Sequence, residues 1–311
     1  MKILVTGGAG FIGSNLVGGL LKRNYTVRIM DNFSTGKREN IKDFIKDIEL
    51  IEGDIRDYYT VEKVVKGIDV ILHQAALPSV PRSIQNPITT NEVNVGGTLN
   101  ILDAAKESNV QRIIFASSSS VYGDNNKLPK KEDMKPSPLS PYAVSKLTCE
   151  YYLSVFNKLY GIETISLRYF NVFGPRQDPN SQYSAVIPRF IKAFLKNQQP
   201  VIFGDGNQTR DFTYVENVIN ANLLSISSNS DTPLILNCAT SCQISLNDII
   251  KLLNKILNKS IEPKYENERK GDVKHSFASI DLIKSKIGYK PLVNFEEGLK
   301  KTIEHYLEEN L

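Results

Sequence analysis

The sequence contains only three cysteines and three histidines among its 311 residues. A small, odd number of cysteines is not typical of a disulfide-stapled secreted domain, so we expect a cytoplasmic protein. Cys238 and Cys242 are neighbours, but the histidines lie far from both in sequence. We therefore expect no metal site, because the ligands of a zinc centre are not brought together.

Long apolar runs are also missing. No stretch approaches the roughly 18 residues that can span a bilayer. Met1-Lys2 leads directly into the apolar segment 3–5, which leaves no space for a signal peptide. The net charge of +4 is spread along the chain and gives little support to nucleic-acid binding. We expect a soluble protein with neither membrane nor nucleic acid as a partner.

Short apolar segments alternate with segments of helical length in the first half of the chain. The predicted strands cover 3–5, 27–30, 50–51, 70–73, 113–116 and 164–167. Apolar strands separated in this way are typical of a parallel sheet that helices cover on both faces. We therefore predict an α/β fold with a doubly wound parallel sheet.

Helices are predicted from apolar spacing and from the loops that separate them. Two long segments, 91–108 and 141–160, have the spacing of amphipathic helices. The pattern becomes less regular after Gly174, where further helices are predicted near 184–196, 215–228, 245–258 and 295–308. We place a first domain at 1–174, to which later segments return, and a smaller mixed α/β lobe at 175–311.

A glycine motif follows the first predicted strand. Gly7, Gly10 and Gly13 surround the predicted start of a helix at Phe11, so the backbone can approach a pyrophosphate on the helix N-terminus. This arrangement predicts a Rossmann dinucleotide-binding domain. Asp31 ends the second strand, where a carboxylate binds the adenosine ribose and favours NAD over NADP.

Other residues near the second and third strands refine the cofactor prediction. The basic pair Lys37-Arg38 lies close to Asp31 and leaves the preference for NAD open. Asp54 and Ile55 follow the third strand, where they would suit the adenine edge.

A second pair of motifs carries reactive groups. Tyr142 and Lys146 are four residues apart on a predicted helix, which places them on one face. A free tyrosine has a pKa near 10, and a neighbouring ammonium group and a positive nicotinamide would stabilise its phenolate. The run Ser117–Ser120 ends the fifth predicted strand, at the edge where open α/β sheets bind ligands. These residues predict proton removal from an alcohol coupled to hydride transfer, but they do not identify the alcohol.

Further segments in the same order carry a family resemblance. They are 31–36, 73–76, 94–98, 117–123, 168–176 and 210–215. Over its whole length the chain resembles the extended short-chain dehydrogenase/reductase family and, within it, the nucleotide-sugar 4-epimerases. The resemblance implies an NAD-dependent isomerase that oxidises a sugar 4-hydroxyl to a transient ketone and returns the hydride to the other face.

The resemblance also implies roles for individual residues. The catalytic residues are Ser118, Tyr142 as the base, and Lys146. The cofactor-binding residues are Gly7, Gly10, Phe11, Ile12, Gly13, Asp31, Asn32, Ser34, Thr35, Gly36, Asp54, Ile55, Gln74, Ala75, Ala76, Asn94, Tyr142, Lys146 and Phe170. The substrate-binding residues are Ser79, Ser118, Ser119, Ser120, Tyr142, Asn171, Val186, Val201, Phe203, Arg210, Arg269, Asp272 and Ser276.

Several substrate contacts follow from the same resemblance. Asn171 is expected near the diphosphate, 201–203 around the uracil, and Arg210 and Arg269 as a charged clamp, with Asp272 toward the uridine ribose. Guanidinium groups suit this role because they bind phosphate oxygens bidentately and stay charged.

The resemblance implies a UDP-hexose as substrate: UDP-glucose and UDP-galactose, their N-acetylated counterparts, or both. Ser276 is expected against the hexose ring, where a small residue leaves room for a 2-acetamido group. The segment 76–83 is also similar to epimerases that favour N-acetylated sugars. A uronate 4-epimerase remains an alternative.

Other outcomes fit the residues less well. The related dehydratases carry an Asp-Glu pair where this chain has Ser119 and Ser120, and the decarboxylases usually keep a Glu at the second of these positions. A non-catalytic NAD-binding regulator is a further alternative, but such proteins commonly lack the Tyr-x-x-x-Lys motif, which this chain retains.

The two long helices, 91–108 and 141–160, resemble the pair through which family members dimerise as a four-helix bundle. A homodimer is therefore expected. The alternative is that their outer faces only cover the core.

Overall fold

The computed structural model describes residues 1–125, 127–179, 185–228, 230, 232–268 and 274–309. Its strands are β1 (Lys2–Thr6), β2 (Thr26–Asp31), β3 (Ile48–Glu52), β4 (Val70–His73), β5 (Arg112–Ser118), β6 (Glu163–Tyr169), β7 (Val172–Phe173), β8 (Val201–Phe203), β9 (Thr209–Arg210), β10 (Thr213–Tyr214), β11 (Leu234–Cys238), β12 (Ile244–Ser245), β13 (Lys264–Glu266) and β14 (His275–Ser276).

The α-helices are α1 (Phe11–Leu21), α2 (Tyr58–Val65), α3 (Val80–Gln85), α4 (Pro87–Asn91), α5 (Gly97–Glu107), α6 (Pro141–Tyr160), α7 (Val186–Leu195), α8 (Val215–Ser227), α9 (Leu246–Leu257), α10 (Asp281–Ile287) and α11 (Phe295–Glu308). Short 3₁₀ helices cover Arg38–Phe44 and Ser119–Tyr122, and a π-helical turn covers Glu92–Gly96. None of the described helices is both long and apolar enough to cross a membrane.

The large sheet of the described chain has seven parallel strands in the order β11-β6-β5-β4-β1-β2-β3. The predicted doubly wound α/β fold is confirmed, and each of the six predicted strands is present. From β1 the chain builds outward on one side through β2 and β3, and from β4 on the other side. The strand order therefore reverses between β1 and β4, where open α/β sheets form a ligand crevice.

Helices bury both faces of this sheet. Ile3 and Val5 pack in a core with α1 and α8, whereas Leu4 packs on the opposite face with residues of α2, α5 and α6. Successive side chains of a strand point to opposite faces, so a strand covered on both sides must be apolar throughout. This explains the apolar runs in the sequence.

The predicted helix 91–108 has a different form. A π-helical turn over Glu92–Gly96 separates α4 from α5. A Cβ atom on Gly97 would lie 2.4 Å from the Ile55 side chain, so glycine lets α5 begin in close contact with Ile55.

The smaller lobe has its own aromatic core. Phe173, Phe190, Phe212, Ile249 and Leu299 are buried there, beneath short strand pairs and the helices α7, α9 and α11. The chain does not stay in this lobe after residue 174, because α8 packs on α1 and β11 joins the large sheet beside β6. The domain boundary at 174 remains a prediction.

Candidate active site

A cleft of about 1390 Å³ opens at the carboxyl edge of the large sheet, and the smaller lobe forms its far wall. Residues from the glycine loop, the ends of β2, β4 and β5, and the start of α6 line one side. Arg210 and Ser276 line the other. A second pocket of about 280 Å³ adjoins it, and Asn171 and Arg210 line both.

The glycine loop is shaped for a close backbone approach. Gly7 has φ +68°, and a Cβ atom there would lie 2.8 Å from the backbone nitrogen of Ala75. A Cβ on Gly13 would lie 2.1 Å from the Gly7 carbonyl oxygen. Gly10 occupies the N-cap position of α1, so no side chain covers the free N–H groups of the first turn. The loop therefore presents a helix N-terminus to the cleft, which suits a pyrophosphate.

Asp31 lies beside this loop and is nearly inaccessible to solvent. Its carboxylate accepts hydrogen bonds from the backbone nitrogens of Ala9 (2.9 Å) and Phe33 (2.8 Å). Burial raises the pKa of Asp31, and these two hydrogen bonds act in the opposite direction. Asp31 thus connects β2 to the glycine loop and also lines the cleft, where a ribose hydroxyl can reach its remaining lone pairs.

The basic pair that left the cofactor preference open is engaged elsewhere. The Lys37 ammonium is 3.0 Å from the Asp178 carboxylate, and the Arg38 guanidinium pairs with Glu52 and lies over the Phe33 ring. Asp54 pairs with Arg56, which lowers the pKa of Asp54 to about 2. This end of the cleft presents the carboxylate of Asp31, which disfavours a 2′-phosphate.

The three catalytic candidates converge in the cleft. Ser118 ends β5 and accepts hydrogen bonds from the backbone nitrogen (3.2 Å) and the hydroxyl (2.9 Å) of Ser120. Its own proton is then free for another acceptor, and Ser118 is close enough to Tyr142 to act on the pKa of that phenol. One turn further along α6, the Lys146 ammonium donates to the Ala116 carbonyl at 2.7 Å. Ser120 thus supports Ser118 as a donor rather than acting in its place.

Burial has the largest effect on the pKa values of Tyr142 and Lys146. It raises the pKa of Tyr142 to about 12, although Ser118 acts in the opposite direction. It also lowers the pKa of Lys146 to about 8, although Cys149 and Glu150 act in the opposite direction. The expected lowering of the Tyr142 pKa therefore does not come from the protein alone, because the phenolate is desolvated here.

A buried histidine supports the floor of the cleft. The Thr98 hydroxyl donates to the Asn94 carbonyl at 2.5 Å, so His73 Nε2 must donate to Thr98 (3.0 Å) and Nδ1 accepts from Thr6 (2.6 Å). Burial lowers the pKa of His73 to about 3. His73 is therefore a neutral structural residue.

A buried ion pair lies under the serine run, and sequence reasoning missed it. Glu150, eight residues after Tyr142 on α6, accepts two hydrogen bonds from the Arg168 guanidinium (2.9 and 2.8 Å) and one from the Ser117 hydroxyl (2.5 Å). The pair connects α6, β5 and β6 directly behind the catalytic candidates. Its only sequence signal is the continuation of the helical spacing from Tyr142 through Lys146.

Most predicted site residues line the two pockets. Those of the cofactor set in the main cleft are Gly7, Gly10, Phe11, Ile12, Gly13, Asp31, Asn32, Ser34, Thr35, Asp54, Ile55, Gln74, Ala75, Ala76, Tyr142 and Lys146. Those of the substrate set there are Ser118, Ser119, Ser120, Tyr142, Asn171, Arg210 and Ser276. Val186, Val201 and Phe203 line the second pocket.

Other predicted residues lie elsewhere. Gly36 packs against the Asp31 carboxylate, the Phe170 side chain is fully buried against Tyr122, and Asn94 is buried. Ser79 caps α3 by accepting a hydrogen bond from the backbone of residue 82. Arg269 and Asp272 lie outside the described residues.

Asn94 has a supporting position instead of a place in the cleft wall. Its side chain accepts from the Leu77 backbone nitrogen at 2.8 Å and donates to the Ser145 hydroxyl at 3.0 Å. It therefore connects the loop after β4 to α6. The π-helical turn that carries Asn94 gave no signal in the apolar spacing.

Comparisons with known proteins agree with this geometry. Residues 3–239 match the model of the NAD-dependent epimerase/dehydratase family. The structure is similar to a UDP-N-acetylglucosamine 4-epimerase from Methanobrevibacter ruminantium solved with UDP-N-acetylmuramic acid (TM-score 0.95, 42% identity, 99% of this chain and 98% of that chain). It is also similar to a UDP-glucose 4-epimerase from Thermotoga maritima with UDP-glucose (0.95, 37%, 100% and 100%). A UDP-glucuronic acid 4-epimerase from Bacillus cereus with UDP-glucuronic acid and NAD is a further similar structure (0.92, 35%, 99% and 100%).

Proposed function

We propose that this chain acts on UDP-hexoses and accepts their N-acetylated forms. It belongs to the NAD-dependent epimerase/dehydratase family and is an NAD-dependent UDP-sugar 4-epimerase. The observation that carries the proposal is the convergence of Ser118, Tyr142 and Lys146 in one cleft with the glycine loop and a small residue, Ser276, on the facing wall.

The residues that line the cleft suit NAD. Gly7 and Gly13 let the loop pack tightly, because a Cβ atom would collide with the backbone of Ala75 or of Gly7, and α1 directs its uncapped N–H groups at the cleft. Asp31 would hold the adenosine ribose. Bound NAD supplies the acceptor and later the donor of the hydride at carbon 4.

The residues of this chain handle the proton. Tyr142 would remove it from the sugar 4-hydroxyl, and Ser118 would donate a hydrogen bond to the same oxygen, giving a transient 4-keto sugar. The charge of Lys146 offsets the phenolate that forms. Once the ketone presents its other face, Tyr142 returns the proton, so the product differs only in its configuration at carbon 4.

The nucleotide part would occupy the adjoining pocket. Val201 and Phe203 offer apolar walls for the uracil, and Arg210, whose guanidinium donates to the Thr209 carbonyl at 2.9 Å, lies where the two pockets join. A guanidinium at this point suits the diphosphate. The proposed roles of Arg269 and Asp272 in the same subsite rest on the family resemblance.

The proposed acceptance of N-acetylated sugars rests on Ser276. Its strand, β14, pairs in parallel with β9, which puts Ser276 directly beside Arg210, and both residues line the main cleft. A serine side chain leaves space that a bulky ring would fill. A 2-acetamido group could therefore turn with the sugar between the two hydride transfers.

Replacing Ser276 with tyrosine tests this assignment. We expect turnover of UDP-N-acetylglucosamine to fall at least about tenfold, the effect of a lost steric fit of 1–3 kcal/mol, whereas UDP-glucose turnover stays within about twofold. The measurement is kcat/KM for both substrates, assayed in parallel. Ser285→Tyr on the exposed face of α10 is the control, since it adds the same ring away from the cleft.

Two results would count against the specificity assignment while leaving the 4-epimerase activity intact: equal loss with both sugars, or no loss with either. UDP-glucuronate belongs in the same assay, because a uronate 4-epimerase is the remaining alternative and one similar structure is such an enzyme. A regulator without activity would turn over none of the three.

We also propose a homodimer and a cytoplasmic location. The outward face of α6 exposes Tyr151, Val155 and Leu159, and Ile84 and Ile88 are exposed on the neighbouring α3 and α4. Exposed apolar side chains grouped on adjacent helices are typical of a protein interface. The four-helix bundle that the family resemblance implies would pair α6 and the segment 91–108 with the same two elements of a second copy.

A further inference from the structure

Gln74 lines the cleft and has an amide nitrogen without a hydrogen-bond partner among the described residues. It follows β4 directly, and its backbone carbon would lie 3.2 Å from a Cβ atom on Gly7, so it adjoins the glycine loop. Its Oε1 accepts a hydrogen bond from the Tyr169 hydroxyl at 3.2 Å. Its Nε2 is buried. A buried amide without a partner is costly, so such a group indicates a ligand.

The orientation of the Gln74 amide group follows from contacts with the neighbouring helix α8. Asn222 on α8 contacts the Val218 carbonyl at 2.8 Å and the Tyr169 hydroxyl at 2.9 Å through the same side-chain atom. A carbonyl oxygen can only accept, so the atom that faces it must be the NH₂ group of Asn222. The Tyr169 hydroxyl therefore accepts a hydrogen bond from Asn222.

Tyr169 must then donate its single proton toward Gln74. Its side chain is 8% exposed and burial raises its pKa, so the phenol stays protonated. A donor requires an acceptor, which makes Oε1 the Gln74 atom on this side. The NH₂ group of Gln74 is consequently directed away from Tyr169.

We propose that Tyr169 is a positioning residue which, held by Asn222, orients the Gln74 amide so that its NH₂ group donates to an oxygen of the bound dinucleotide. Phosphate oxygens only accept, and ribose hydroxyls can accept, so both are suitable partners. The glycine loop offers backbone donors alone, and Gln74 adds a side-chain donor next to it. The inference concerns cofactor retention and is independent of which sugar is the substrate.

Tyr169→Phe tests the proposal, because it removes the hydroxyl and keeps the ring. The holoenzyme is mixed with excess labelled NAD, and the exchange rate of the bound cofactor is followed. We expect the variant to release NAD about 3- to 10-fold faster, the effect of one net hydrogen bond. Tyr289→Phe is the control: Tyr289 is also buried and donates to the Ala239 carbonyl at 2.9 Å, but it does not line the cleft.

The control separates positioning from loss of stability. Both variants leave one buried acceptor without its donor, and Tyr169→Phe also removes the acceptor of Asn222. We therefore expect a lower melting temperature for both variants, and only Tyr169→Phe should change the exchange rate. Equal exchange rates for the two variants would overturn the proposal, as would wild-type exchange by Tyr169→Phe.

A double-mutant cycle tests the direction of the effect. Gln74→Met keeps the length of the side chain and removes both amide atoms, so it should speed release about tenfold by itself. Adding Tyr169→Phe to Gln74→Met should then change the rate by less than about twofold, because the amide that Tyr169 orients is gone. Additive effects of the two substitutions would show that Tyr169 acts on the cofactor by another route.

Discussion

Tyr142 is the residue on which the proposed chemistry depends most directly. Its phenol has a pKa raised to about 12 by burial, so it holds its proton in the protein alone. The ammonium of Lys146 and the charge of oxidised NAD must together favour the phenolate. We therefore expect Tyr142 to act as a base only when the cofactor is bound.

Tyr142→Phe should reduce kcat by about 10²- to 10⁴-fold, the usual effect of losing a general acid–base group. Cofactor content and substrate KM should change little, since the ring remains. Tyr58→Phe removes a phenol on α2 that donates to Asp103, and it should keep wild-type turnover. Near-normal turnover by Tyr142→Phe would remove the proposed base.

The lowered pKa of His73 lets us predict how the free energy of unfolding depends on pH. Its pKa is lowered to about 3 in the folded chain, whereas an unfolded histidine titrates near 6.5, so only the unfolded state binds this proton between those values. Stability should therefore fall as the pH decreases from 6.5 toward 3, by about 2 kcal/mol at pH 5 from this residue.

His73→Asn isolates that contribution, because asparagine does not titrate. The free energy of unfolding in urea should decrease less between pH 7 and pH 5 for the variant than for the wild-type protein. An identical decrease in both would mean that His73 is not the group responsible.

At the scale of single elements, α6 serves two surfaces. The face of α6 that points to the cleft and the core carries three residues at four-residue spacing: Tyr142, Lys146 and Glu150. Val155 and Leu159 follow the same spacing on the exposed side. A dimer through this helix would therefore brace the catalytic residues from behind.

Glutamate at both Val155 and Leu159 should convert the homodimer to a monomer, because like charges and lost apolar burial would oppose pairing. Light scattering after gel filtration measures the mass. Tyr265→Glu is the control, since Tyr265 is an exposed aromatic residue on β13, away from α6. A wild-type protein that is monomeric, or a dimer that survives both substitutions, would rule out this interface.

At the scale of the whole molecule, the two lobes line one cleft, which we propose as the site of NAD. A reaction with no net redox change has no need to exchange NAD. The purified protein should therefore carry NAD and turn over without added cofactor, and the denatured supernatant should contain the dinucleotide.

Removing NAD should lower the melting temperature, since a ligand present at 1,000 times its dissociation constant stabilises the folded state by about 4 kcal/mol. Scanning calorimetry before and after NAD removal measures the shift. Protein that is isolated without NAD, requires stoichiometric NADPH and accumulates a reduced product would identify a reductase.

Local patterns in the sequence were sufficient for the sheet and for the residues that bear the chemistry. Strands buried on both faces must be apolar, so β1, β2, β4, β5 and β6 were readable from their apolar runs. The edge strand β3 is only partly buried, and its sequence signal was limited to Leu50-Ile51. The glycine loop and the Tyr142–Lys146 pair each depend on residues within one turn or one loop. Such short-range geometry is contained in the spacing itself.

Tertiary structure alone decided the contacts between distant segments. The apolar pattern did not predict that β11 would extend the large sheet, that Ser276 would pair beside Arg210, or that Tyr169 would face Gln74, 95 residues earlier. The π-helical turn around Asn94 was missed for the same reason, because its shape depends on close packing with other segments. These features arise only when separate elements pack together, since periodicity describes one element at a time and carries no information about its neighbours in space.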